Sequence, residues 1–332
     1  MAYSQGGTIQ AIDYNYLAAG GNTQVATAAI KNVFYVLGSS KGPFGYGQDC
    51  SAITPVSVTP ATTTITAAQW AGLVYLVNRG LGHQSGAGAQ LATGSNIGIT
   101  AGATISAFAN VSTAVTTINT NANVFTTQGT TTAGSVLTTA VVFAGTLSTS
   151  PQTQSFTRTI TFGSGDQARY FFNAGGQINF TLTATNNNST LRSADLVTNW
   201  ASGQGGGSIT GITAGARTGS GQTLTSEDLT LGYWKCTGVN QSMRKITSSN
   251  YRYEYNTDFT EVGVKTNGVQ GSNNDNGTII TFQFDVSMAG AINASMGGPF
   301  NDNVDVTLGV KFDIVEPEVT FLTKTWVNPT IA

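Results

Sequence analysis

Apolar and polar residues alternate along the second half of the chain. Phe156, Arg158, Ile160 and Phe162 fall on one side of an extended segment and Thr157, Thr159 and Thr161 on the other. The same alternation returns at Ile178/Phe180/Leu182/Ala184, Tyr251/Tyr253/Tyr255, Ile280/Phe282/Phe284/Val286/Met288 and Val304/Val306/Leu308/Val310/Phe312/Ile314. A period of two predicts strands with one buried face. Asn267-Gly268 and Asn276-Gly277 are preferred residues of tight hairpin turns. A short helix is expected over Ser193–Trp200, with Ser193 as N-cap and Gly203 beyond its end. The Gly-rich segment Gly203–Gly221 reads as a long loop or an irregular hairpin tip.

Before residue 150 the pattern is mixed. Thr66-Ala67-Ala68-Gln69 has the form of a capping box, and Trp70, Leu73, Val74, Val77 and Leu81 follow at helical spacing until Gly80 and Gly82 are expected to stop the helix. A second helix is expected from Thr104 to Asn121, its stripe formed by Ile105, Phe108, Val111, Val115 and Ile118. The apolar run Asn32–Leu37 reads as a buried strand, and Val124–Phe143, rich in β-branched residues, as strands joined by a Gly turn. The fold class is therefore mainly β with a minor α component. An antiparallel β sandwich or barrel occupies 151–332, and a charge-poor mixed α/β region with one or two helices occupies 1–150.

Charge sharpens that division. Only 9% of the 332 residues are charged, against about 25% in an ordinary soluble domain. Residues 1–157 hold five charged side chains, Asp13, Lys31, Lys41, Asp49 and Arg79, and none lies between Gly80 and Thr157. A surface without charge resembles the centre of a protein interface more than a solvated face. The net charge of −2 and the absence of basic runs argue against nucleic acid and anionic membrane surfaces as partners. No basic, apolar leader opens the sequence and no stretch approaches 18 apolar residues, so neither secretion nor membrane insertion is expected. Cys50 and Cys236 are too few for a disulfide framework and have no metal-ligand spacing.

Several matches to sites of chemistry fail on context. Gly163-Ser164-Gly165-Asp166-Gln167-Ala168 fits a dinucleotide fingerprint, but Arg169–Phe172 and Gln177–Phe180 read as a hairpin that leaves no helix to face a pyrophosphate. Gly38-Ser39-Ser40-Lys41-Gly42 fits a nucleophile elbow, yet Pro43 opposes the helix that must follow, and His83 is the sole histidine. Glu316 with Glu318, or Asp302 with Asp305 near Pro299, could pair as glycosidase carboxylates by spacing alone. Ser272–Gly277 has oxygen ligands without the spaced acids of a calcium loop and reads as a turn. Trp200, Trp234 and Trp326 could stack on sugars, although tryptophan beside apolar strands more often belongs to a core. No catalytic, metal or cofactor-binding residue is assigned.

Four stretches carry a resemblance. They are MAYSQGGTIQAIDYNYLAAGGN at the start, GPFGYGQD at Gly42–Asp49, QWAGLVYLVNRGLGHQ at Gln69–Gln84 and FTRTITFGSGDQARYFFNAGGQINF at Phe156–Phe180. Together they resemble virion structural proteins of tailed bacteriophages, those infecting cyanobacteria and other aquatic bacteria above all. The most specific patch, Ala168–Gly176, reads as a strand that turns at Asn-Ala-Gly-Gly into its antiparallel partner. The resemblance implies a non-enzymatic particle component of the tail, neck or fibre apparatus, assembled in the host cytoplasm and released by lysis. Its partners would be copies of itself and other virion proteins of tail, neck or baseplate. The alternative is a module that binds a host-surface glycan through its β loops, and a polysaccharide depolymerase or a head-decoration protein stands further back.

Overall fold

A computed structural model of the chain describes residues 11–18, 33–38, 45–53, 65–91, 108–122, 124–143, 151–203, 207–209, 211–212, 221–223, 233–235, 238–247, 258–268, 277–288 and 303–332. The alternating segments form two antiparallel sheets. One contains β1 (Gln128–Phe143), β3 (Gln177–Asn186), β4 (Gly207–Ile209) and β11 (Val304–Pro317) in the order β1-β11-β3-β4. The other contains β2 (Gln152–Thr161), β8 (Gln241–Thr247), β9 (Phe259–Thr266), β10 (Ile279–Met288) and β12 (Thr330–Ile331) in the order β12-β2-β10-β9-β8. Three further short segments, β5 (Gly211–Ile212), β6 (Gly221–Thr223) and β7 (Tyr233–Lys235), pair in parallel. The protein is mainly β, and its two large sheets are open.

The sheets face each other through aromatic rings. Phe180 of β3 and Phe312 of β11 meet Phe282 and Phe284 of β10, and Phe156 and Trp200 extend the cluster, with centroids 5.1 to 6.5 Å apart. Tilted and offset rings at this spacing contribute about 0.5–1.5 kcal/mol per pair beyond the area they bury. Every inward position named from the alternation in β10 and β11 is buried.

The N-terminal helices pack on one another. α3 (Ala67–Ser85) starts at the capping box, where Gln69 N–H donates to the Thr66 hydroxyl and the Gln69 side chain accepts from Thr66 N–H. Its apolar stripe Trp70, Leu73, Val74, Val77 and Leu81 is buried. α4 (Phe108–Thr120) packs on it through Val111, Val115 and Ile118, with Phe108 stacked on Trp70. Residues 104–107 of the expected second helix lie outside the described residues, as do Tyr251, Tyr253, Tyr255, Ser272–Asn276 and Cys236. Two short helices, α1 (Ala11–Ala18) and α2 (Val33–Leu37), complete the group, and they share one buried cluster with the sandwich.

Five local expectations are corrected. Val33–Leu37 is helical, because an unbroken apolar run carries no period to separate helix from strand. α3 continues through Gly80 and Gly82 to Ser85, since these glycines allow close approach: a side chain at position 82 would strike the Phe321 ring, and one at 80 would meet Ile118 and Leu37. Gln128–Phe143 is one strand with no turn, and Gly134 sits at a bulge where a side chain would collide with the Phe312 carbonyl. The segment Arg169–Asn173 belongs to a helix, α5 (Gly165–Asn173), capped by the Ser164 hydroxyl accepting from Gln167 N–H. α6 (Leu191–Thr198) begins one turn earlier than expected, with Thr190 as N-cap and a wider turn over Asn199–Gly203.

Candidate functional site

The residues that could do chemistry are best followed from the C-terminal tail. β11 ends at Pro317, and the chain then folds back over α3 and the strap Gly45–Cys50. Glu318, 3% exposed, accepts Thr320 N–H at 2.5 Å and Phe321 N–H at 3.0 Å on one oxygen, and its other oxygen faces Nδ1 of the fully buried His83 at 3.0 Å. A carboxylate only accepts, so Nδ1 carries the proton. Burial alone would raise the Glu318 carboxyl, but the His83 ring and the Phe321 and Thr320 amides outweigh it and hold the group below the ordinary glutamate value.

The environment of His83 is closed. The Tyr46 ring packs edge-on against it at 5.1 Å, and the Tyr46 hydroxyl donates to Ala122 O and accepts from Gln84 Nε2. His83 Nε2 is buried without a hydrogen-bond partner. The His83 carbonyl accepts from Thr126 N–H, which fastens the end of α3 to the approach to β1. One turn earlier, Arg79 donates to Phe321 O at 2.6 Å, Gln48 Oε1 at 2.7 Å and Thr323 Oγ1 at 2.9 Å. Gln48 completes the zipper by accepting Thr323 N–H and donating to Thr323 O. This cluster joins helix, strap and tail. It offers no exposed nucleophile, base or proton path, and its chemistry is that of a clamp.

The carboxylates proposed as a pair on spacing are not one. Glu316 binds Lys324 Nζ at 2.7 Å and Asn328 Nδ2 at 2.6 Å, while Glu318 turns to His83. Asp305 accepts from Asn187 Nδ2, and Asp302 and Pro299 lie outside the described residues. A second buried ion pair, Arg192 with Asp258, is bidentate at 2.7 Å for both bonds and ties α6 to the start of β9. The pocket beside it, lined by Leu196, Asn199, Phe259 and Met288, has room for about one water molecule. Trp200 and Trp326 are buried, so neither presents a face to a sugar.

The fingerprint at Gly163–Ala168 does sit between a strand and a helix, contrary to the reason first given against it. It fails on topology: β2 and β3, on either side of α5, belong to different sheets, so no parallel βαβ unit exists there. The Ser164 hydroxyl also takes up an N–H at the helix start. The apolar run before Gly38 is α2, a helix, so the elbow context is missing as well. Cys50 is buried, and burial followed by the Asp49 charge pushes its thiol up to about 12. Among the described residues no group of three or more His, Cys, Asp or Glu side chains could hold a metal ion, and no helix is long and apolar enough to cross a membrane.

Charged side chains such as Asp49 and Lys324 are exposed elsewhere, but the surface of the charge-free stretch is neutral. β1 lies within the charge-free stretch and pairs only with β11 among the described residues. Val136 and Val142 on its outer face are 47% and 52% exposed. No protein-family model, curated protein or solved structure matches this chain.

Proposed function

We propose that the chain is a non-enzymatic structural component of a tailed-phage virion, of the tail, neck or fibre apparatus, which assembles as a symmetric homo-oligomer. The observation that carries the proposal is the neutral exterior of β1, inside a run from Gly80 to Thr157 without a charged side chain. Such a surface can be desolvated on assembly without stripping water from ions. The four stretches that resemble virion proteins support the same reading. So does the use of Glu316, Glu318, Arg79, Arg192 and Asp258 as ties between segments of the fold. In this reading the protein is assembled in the host cytoplasm and leaves by lysis, and its partners are copies of itself and neighbouring virion proteins. The glycan-binding alternative has less behind it, because Trp200 and Trp326 are buried, while the side chain of Trp234 lies outside what the structure describes. The test is immunogold microscopy with an antibody against the chain on particles from an infected lysate. Labelling at one recurrent place on the tail, neck or fibres is expected, and label confined to debris would overturn the proposal.

A further inference from the structure

Sheet edges invite pairing with other chains, and proteins blunt them with short strands, charges, prolines or bulges. Among the described residues, three of the four edge strands in the large sheets follow that practice. β4 has three residues and β12 two, and β8 carries Arg244 and Lys245 beside a register shift. β1 follows it only in its first half: it has 16 residues with no charge and no proline, and its bulges stop at Val136. Its two register shifts lie between Gln128 and Val136, leaving Val136–Phe143 as eight regular residues.

From this edge we infer that β1 pairs antiparallel with β1 of a second copy across a twofold axis at Thr139, joining two four-stranded sheets into one. The inference deepens the proposed homo-oligomer and rests on that reading. The direction of the free backbone groups is set by two side chains of β2. Gln154 Nε2 donates to Val142 O at 2.6 Å and Arg158 Nη2 to Thr138 O at 3.4 Å, so these carbonyls point away from β11. The even residues of the regular run therefore offer their amides and carbonyls to a new strand. Pairing even with even about Thr139 sets Val136 opposite Val142 of the other copy and Thr138 opposite Ala140. Both exposed valines are then covered by each other, twice per interface. A second copy is the fitting occupant because a twofold sets this strand against its own copy, and β1 carries no charge of its own to repel that copy. Gln154 and Arg158 occupy the two carbonyls in the single chain, so the pairing requires them to release these acceptors to the amides of the second strand.

The full chain and three variants test this by light scattering over a concentration series, with far-UV circular dichroism to verify folding. Wild-type mass is expected to be an even multiple of the 34.3 kDa chain. Val142→Lys, which sets a lysine across from Val136, and Ala140→Pro, which removes an outward N–H, should each halve the mass at concentrations tenfold above the wild-type midpoint. If the proline variant fails to fold, the lysine variant still decides. Thr138→Cys with Ala140→Cys, in a Cys236→Ser background, should give a covalent dimer on mild oxidation, as facing antiparallel positions lie about 5.5 Å apart between Cα atoms, within disulfide reach. A monomeric wild type, or unchanged mass in the folded lysine variant with no cross-link, would overturn the β1 pairing. The particle-labelling result is independent of either outcome, so the edge can fail while the virion reading stands.

Discussion

Replacing Glu318 by alanine isolates the clamp between tail and helices. The substitution leaves three donors without their acceptor: Thr320 N–H, Phe321 N–H and His83 Nδ1–H. Thr320 is exposed, so water recovers most of its share, whereas His83 is fully enclosed and cannot be rehydrated. Breaking a buried pair on one side costs about 3–5 kcal/mol. Because the contact fastens a peripheral segment, the loss should appear first as local opening. Hydrogen–deuterium exchange at Phe321 and Thr323 should speed up by roughly two to three and a half decades, at about 1.4 kcal/mol per decade. Glu318→Gln retains an oxygen for the two amides and loses the charge-assisted bond, at about 1.5–3 kcal/mol. The pH dependence has a definite sign. Since the folded state holds the Glu318 carboxyl below its ordinary value, its contribution is complete above about pH 4.3 and disappears as pH falls through the folded value. Wild type should therefore lose tail protection in acid more steeply than Glu318→Gln. A cost below about 1 kcal/mol for the alanine variant, or superimposable acid limbs for wild type and Glu318→Gln, would refute the reasoning.

Arg192→Ala should destabilise the fold by about 3–5 kcal/mol in urea titrations, while Arg192→Met with Asp258→Leu should recover most of that loss because no unpaired charge is left behind. Gly82→Ala removes a residue that disfavours helix by about 1 kcal/mol, yet the new methyl meets the Phe321 ring and overpacking costs about 1–3 kcal/mol. A lower melting temperature is expected, and a higher one would show that Phe321 yields freely. In a Cys236→Ser background, Cys50 should resist thiol reagents at pH 8 until urea unfolds the chain, and rapid labelling of the folded protein would contradict its burial.

Elements set by nearby residues were legible in the sequence. The capping box at Thr66 and Gln69 and the buried stripe of α3 follow from spacings of three and four, and β10 and β11 from strict alternation. The errors came where a residue has two meanings. Gly134 signals a turn by type but serves a bulge against Phe312, and Gly80 and Gly82 signal a helix end but serve close packing. The aromatic run Tyr170–Phe172 looked extended, whereas Ser164 caps it as a helix and Phe162 packs against Phe171 and Phe172. The clamp left only a faint trace, a sole histidine and a lone Arg79 beside a long charge-free stretch. Nothing local could couple His83 to Glu318 across 235 positions. The neutral surface, by contrast, was visible at once, because charge is a property of residues and not of their contacts.

The placement of β1 beside β11 also fixes a timetable. About 160 residues separate the end of β1 from the start of its partner strand, and a ribosome adding about 5–20 residues per second needs roughly 8 to 32 s to make them. During that interval a long uncharged strand stands exposed near other nascent chains on the same message. The yield of folded protein is therefore expected to rise when synthesis is slowed or chaperones are co-expressed, even with the stability of the finished sandwich unchanged.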